Sequence, residues 1–165
     1  MNSTVKAGLI LGVAAEVWIY FMGLAGWYTD PVLMNLFWVV IPIHVGVLVW
    51  ALRPARDQKS YGQQVGAGTL ISVIGSVVIF LGSILFTAVV FPNYFTEVRA
   101  AGESMMRERG MADADIMAQL DAMAPMQTTF MQALFGCIGT ILTGVLASLV
   151  IAIFYRKKPG GQPAA

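Results

Sequence analysis

The chain has 165 residues, of which 58% are hydrophobic and only 12% charged, with a net charge of +1. Soluble domains carry about 25% charged residues, so one membrane domain accounts for this composition. The longest basic run is Arg156, Lys157 and Lys158, which argues against a nucleic-acid partner, and the single Cys137 excludes an intrachain disulfide or a cysteine metal centre. Cys137 lies in an apolar run and reads as a small buried side chain.

Taken in order, the first apolar run covers 7–27 behind Lys6, carries Glu16 in its middle and ends in Trp27 and Tyr28, aromatics favoured at a membrane interface. Its length argues for a span and against a cleaved signal peptide. Thr29, Asp30 and Pro31 form a polar turn, and a second span follows at 32–52 with Trp38 and Trp50 near its ends. Pro42 within it predicts a kink or a freed backbone carbonyl. A short basic loop holds Arg53, Arg56 and Lys59. The third span, 65–91, lies in a stretch with no charged residue between Lys59 and Glu97. A bilayer core of about 30 Å needs roughly 20 apolar helical residues, so this run crosses with tilt or stands out of the hydrocarbon.

A polar stretch at 96–127 precedes a fourth span at 128–154, and a Pro/Gly-rich tail, 159–165, reads as disordered. Within the polar stretch Val98, Ala101 and Met105 recur with helical spacing, as do Ile116, Leu120 and Met123. Gly110 is placed to end the first helix, and Asp113 to cap the second with Asp115 in its first turn. The expected architecture is therefore an all-α membrane protein, four transmembrane helices with an external amphipathic helical hairpin between the third and fourth. The basic residues near 6, 53–59 and 156–158 share one side under four crossings. The other two loops, holding Asp30 and the acidic 96–127 stretch, are net negative. The positive-inside rule then places both termini in the cytoplasm.

The start Lys6, Gly8, Leu9 and Ile10, a basic loop ahead of a Gly-punctuated third span, Pro92, Tyr94 and Phe95, the Gly110–Met111 pair, and a final span ending Arg-Lys-Lys together carry a resemblance. The chain is similar to the domain-of-unknown-function family 4199, small four-helix bacterial membrane proteins. The resemblance covers nearly the whole chain and implies a bacterial cytoplasmic (inner) membrane protein with a polar insertion before the last span. It brings no agreed activity, cofactor or catalytic residue. Asp113 stands where many relatives have Ser or Thr, and the insertion is unusually rich in Met.

Glu16 and His44 are the ionisable residues well inside the spans, and such groups usually face a bundle interior with a partner. Counted from the inner side they lie nine and eight residues deep, roughly 12–14 Å at about 1.5 Å per residue, so adjacent antiparallel helices would let them meet. The pair reads as a proton or ligand site, or as a buried clamp fixing helix register. One Glu and one His are too few for a metal site, and a single His excludes bis-histidine haem.

Gly68, Gly75 and Gly82 recur every seven residues beside Ser72, Ser76 and Ser83; Gly136, Thr140, Gly144 and Ser148 recur every four; Gly8 and Gly12 repeat the pattern. Such stripes let helix backbones approach closely, within one bundle or between copies. Met105, Met106, Met111, Met117, Met123, Met126 and Met131 cluster in or beside the polar stretch. They would suit Cu(I) or, more simply, an adaptable surface for protein or lipid. No nucleophile with its base, phosphate loop or catalytic carboxylate pair is present, so no enzyme is expected. The expected role is an accessory or interaction subunit packing through Gly/Ser faces, as a homo-oligomer or in a larger membrane complex. The alternative is a small oligomeric proton-linked transporter or channel using Glu16 and His44.

Overall fold

The computed structural model describes residues 2–157, so the tail expected to be disordered lies outside the described residues. Among those residues every regular element is helical, and four helices are long and apolar enough to cross a membrane: Ser3–Leu24, Leu33–Ala55, Tyr61–Val90 and Thr129–Tyr155.

Helix α1 (Ser3–Leu24) opens with the Asn2 side chain accepting the Thr4 N–H. It stops three residues before Trp27, because Gly26 adopts φ 68°, a left-handed conformation that ends a helix cheaply. The Asp30 carboxylate accepts the Val32 and Leu33 N–H groups, both at 2.8 Å, and starts the next helical run. These bonds, the one from Leu33 foremost, hold its carboxyl below the usual carboxylate range. The second span begins as a 3₁₀ helix, Leu33–Val39, and becomes α2 (Val40–Leu52). The change of helix type falls two residues before Pro42, which occupies the first turn of α2, where its missing N–H costs least.

Helix α3 (Tyr61–Leu85) starts four residues earlier than the apolar run, through a capping box in which Ser60 and Gln63 satisfy each other's backbone N–H groups. Gln64 in that first turn is fully buried and donates to Ala55 O (2.8 Å) and Tyr155 O (3.1 Å). The Asp57 N–H also donates to Tyr155 O, and Lys157 N–H to Lys59 O at 2.8 Å, so the basic loop and the last helix are knotted together. At its far end α3 widens into one π-helical turn, Phe86–Val90.

Helix α4 (Tyr94–Glu108) and helix α5 (Asp113–Met123) are joined through Gly110 at φ 77°. Arg99 pairs with Asp121 (2.8 Å) and donates to Leu120 O, while Arg107 reaches Asp113 (3.4 Å). Asp113 was expected as the cap; Ala112 holds that position without a side-chain bond, and Asp113 is the first helical residue, drawn toward Arg107 and the positive helix end. Ile116 and Leu120 are buried, whereas Met123 is exposed with Met111, Met117 and Met126. Helix α6 (Thr129–Tyr155) is capped by Thr128, whose hydroxyl accepts Met131 N–H. Cys137, expected to be buried, is half-buried.

Helix α3 is the centre of the bundle. Antiparallel α6 lies along it with Gly68 against Ser148, Gly144 against Ser72 and Gly136 against Ile79. Parallel α1 lies on another face, with Gly8 against Ile71 and Ile74, Gly12 against Gly75 and Val78, and Gly23 against Phe86. Ala7, Leu11, Leu48, Leu52, Ile71 and Ile151 fill the space where the helices carrying the two chain ends converge. A Cβ on any of the seven glycines singled out in the sequence, Gly8, Gly12, Gly68, Gly75, Gly82, Gly136 and Gly144, would press on another helix of the same chain. At Gly75 it would lie 2.9 Å from Leu11 Cδ2 and 3.2 Å from Gly8 O. Gly75→Leu is expected to destabilise the bundle by about 1–3 kcal/mol, the usual range for overpacking, read from its unfolding in a denaturing detergent. Wild-type resistance in that variant would show that α1 and α3 separate freely.

Candidate functional site

Between α1, the 3₁₀–α2 run, α3 and α6 lies a cavity of about 370 Å³. Leu11, Ala15, Ile19 and Ile79 make apolar wall, and Phe37, Trp38, Ile41 and Phe135 also line it while standing partly exposed on the outside of the chain. Polar groups are few: Glu16, His44, Ser83, Gln132, Thr140 and Thr143. The side of α2 is held to α1 by one directed bond, Trp18 Nε1–H to Leu36 O at 2.9 Å, and α2 is the least enclosed of the four candidate spans.

Glu16 and His44 both line this cavity, yet no hydrogen bond or ion pair joins them. His44 instead lies 2.9 Å from Ser72 Oγ, and the Ser72 hydroxyl is 3.0 Å from Gly68 O. One proton arrangement satisfies the chain: Nε2–H donates to Ser72, and Ser72 donates to Gly68 O. The small side of Gly144 admits the ring, since a Cβ there would come 3.2 Å from Nε2. The Glu16 side chain runs the other way, its Cγ 2.8 Å from where a Gly82 Cβ would stand. Ser72 and Gly82 are ten residues apart in α3, about 15 Å at about 1.5 Å per residue. The similar depth expected of the two residues therefore does not hold: each is packed on a different level of α3.

Glu16 is 8% exposed, and its Oε2 is buried with no hydrogen-bond partner. Beside it Tyr20, one turn along α1, donates its hydroxyl to Gly82 O at 3.1 Å. That leaves Glu16 as a carboxyl group set into a membrane-type helix bundle, its Oε2 in the notch over Gly82, its side chain among those lining the cavity, and unclaimed by any basic side chain. Sequence reading found Glu16 and His44 from their rarity in apolar runs. It placed Ser72 only in a packing stripe and passed over Tyr20, Gln64 and Gln132, whose roles depend on neighbours far along the chain.

A family model described as "Protein of unknown function (DUF4199)" matches residues 6–157. The chain belongs to the DUF4199 family. The DUF4199 match takes in the four candidate spans apart from the first three residues of α1, together with α4, α5 and every residue that lines the cavity. No curated protein and no solved structure matches the chain significantly.

In this DUF4199 chain the end remote from Gln64 is tied by aromatic packing. Tyr28 donates its hydroxyl to Glu97 of α4 and packs on Phe91 and Tyr94, whose centroids are 6.1 and 5.1 Å away. Desolvation, then the bond to Glu97, pushes the Tyr28 phenol up to about 12 from the usual 10. A raised phenol means that this contact supports the fold fully below pH 10 and is lost as pH rises toward 12. Tyrosinate absorbance is expected to show a late phase near 12 whose amplitude Tyr28→Phe lowers. An unchanged late phase in the variant would place that phenol elsewhere.

Proposed function

We propose that this is a small multi-pass protein of the bacterial cytoplasmic membrane whose bundle works as a proton-linked binding and transport unit, with Glu16 as the proton-exchanging group. Both termini and the basic loop face the cytoplasm, and α4 and α5 form a net-negative helical hairpin on the outer side, the arrangement the positive-inside rule favours. The observation that carries the reading is the unpartnered Oε2 of a buried Glu16 beside a cavity of about 370 Å³. Gln64 Oε1 and Ser148 Oγ are also buried without a partner, but of the three residues only Glu16 is acidic and only Glu16 lines the cavity. A charged, unpaired carboxylate in hydrocarbon is costly, so anything that draws the proton off Glu16 must bring compensating charge or water.

Difference infrared spectroscopy on transfer from H₂O to D₂O tests this. A carboxylic-acid band that shifts promptly on deuteration and disappears in Glu16→Gln is the expected result. A band that resists exchange, or one that the variant keeps, would make Glu16 a sealed structural group.

The accessory-subunit reading draws its support from α2 rather than from the glycine stripes. The stripes are taken up within the chain, and α2 presents Ile41 and Trp50 outward. Recovery of a stoichiometric larger complex from native membranes in mild detergent would favour it over an autonomous transporter.

A further inference from the structure

The proton-exchange reading leaves open what trades places with the proton, and the cavity limits the answer. We infer that it binds a lipophilic monovalent cation, an organic ammonium or phosphonium with its charge set in an apolar or aromatic body. This rests on Glu16 being exchangeable.

Charge comes first. The cavity lining includes one acidic side chain, Glu16, and no lysine or arginine, so a small anion would find no basic counter-charge. The other titratable groups nearby are Tyr20 on α1, already donating to Gly82 O, and His44 on α2, which lines the same cavity at the level of Ser72 and is engaged there. The lining residues of α3 and α6 contribute no ionisable group. A cation entering beside Glu16 replaces the carboxyl proton, which leaves to the medium, so the cavity's net charge stays constant through the exchange.

Shape and route agree with that class. Phe37, Trp38 and Phe135 offer aromatic faces, which attract cations most strongly where water is excluded. These same side chains are exposed on the outside of the bundle, so a ligand that reaches the cavity past them comes from the space that lipid would occupy. A ligand using that route must partition into the bilayer, which selects amphipathic cations over hydrated metal ions or sugars. A volume of about 370 Å³ falls within the range of pockets that bury a drug-sized ligand, about 300–1,000 Å³.

Equilibrium dialysis of the full chain in mild detergent against tetraphenylphosphonium tests the inference, with neutral triphenylphosphine oxide for comparison. The expected result is saturable binding of the cation, one proton released per cation bound, and affinity that rises with pH because the carboxylate is the receiving form. Glu16→Gln should weaken binding about tenfold or more. Gly139→Leu should also weaken it without touching the charge: Gly139 lines the cavity, and a Cβ there meets nothing within 4 Å, so the side chain fills space rather than clashing. Equally tight binding of the neutral oxide, or binding indifferent to Glu16→Gln, would overturn the cation assignment. Absence of phosphonium binding in a chain whose carboxyl still exchanges with D₂O would do the same while leaving the proton-exchange reading intact. Absence of both would remove the two together.

Discussion

Gly12→Leu is expected to separate α1 from α3 and to cost the bundle about 3 kcal/mol, the upper end of ordinary overpacking. Where a Cβ would stand at this position, Gly75 O is 2.8 Å away, and Val78 Cβ is closer still. Neither neighbour can swing aside: one is backbone, and the other is the branch point of a side chain that is stiff in a helix. Gly8 repeats the arrangement one turn earlier, with Ile71 O at 2.9 Å, so the two parallel helices touch backbone to backbone over two turns. In a bilayer that closeness supplies dispersion contacts for which no hydrophobic drive can substitute. The measurement is detergent-induced unfolding followed by tryptophan fluorescence. Gly66→Leu serves as the reference, because a Cβ at Gly66 meets nothing within 4 Å and the added side chain points into open space. A Gly12→Leu protein as resistant as Gly66→Leu would mean that α1 does not pack where the glycines bring it.

Glu16→Gln is the second large effect, and it falls on proton exchange rather than on folding. The amide matches the acid in shape and fits the notch over Gly82, and no hydrogen bond is lost because Oε2 has none to lose. Thermal stability should therefore stay within about 1 kcal/mol of wild type. Proton release on cation binding, by contrast, should vanish, since no other acid lines the cavity. The two readings of Glu16 separate cleanly on this variant. A register clamp loses stability and has no exchange to lose; a proton site keeps stability and loses exchange. His44→Gln should behave differently again, because it removes the ring that donates to Ser72 in a buried chain of hydrogen bonds.

Helix periodicity, charge gaps and loop chemistry made the four long helices legible, since lipid imposes length and apolarity on each span independently of its neighbours. Their ends were read less well, for reasons particular to each. Tyr61–Gln64 looked like loop because Gly62, Gln63 and Gln64 are not apolar, yet Ser60 and Gln63 cap the helix and Gln64 is spent on carbonyls of two other segments. Gly26 stops α1 before its aromatic end, a backbone event that hydropathy does not register. For the site, rarity identified Glu16 and His44, and helix rise gave them comparable depth. Which way each side chain turns depends on the notches at Gly82 and Gly144, and those belong to helices that fold against them from far along the chain. Pairing by depth fails because counting residues from the loops misjudges level: Glu16 packs at Gly82 and His44 at Ser72, ten residues apart along α3.

The knot formed by Ala55, Gln64 and Tyr155 has a consequence for traffic. It ties the bundle together where α1 starts and α6 finishes, and Ala55, Gln64 and Tyr155 are all absent from the cavity lining. On the transport reading proposed above, a path through that end runs past the two Gln64 bonds, so Gln64→Leu is expected to change the rate of passage and Glu16→Gln to change what is admitted.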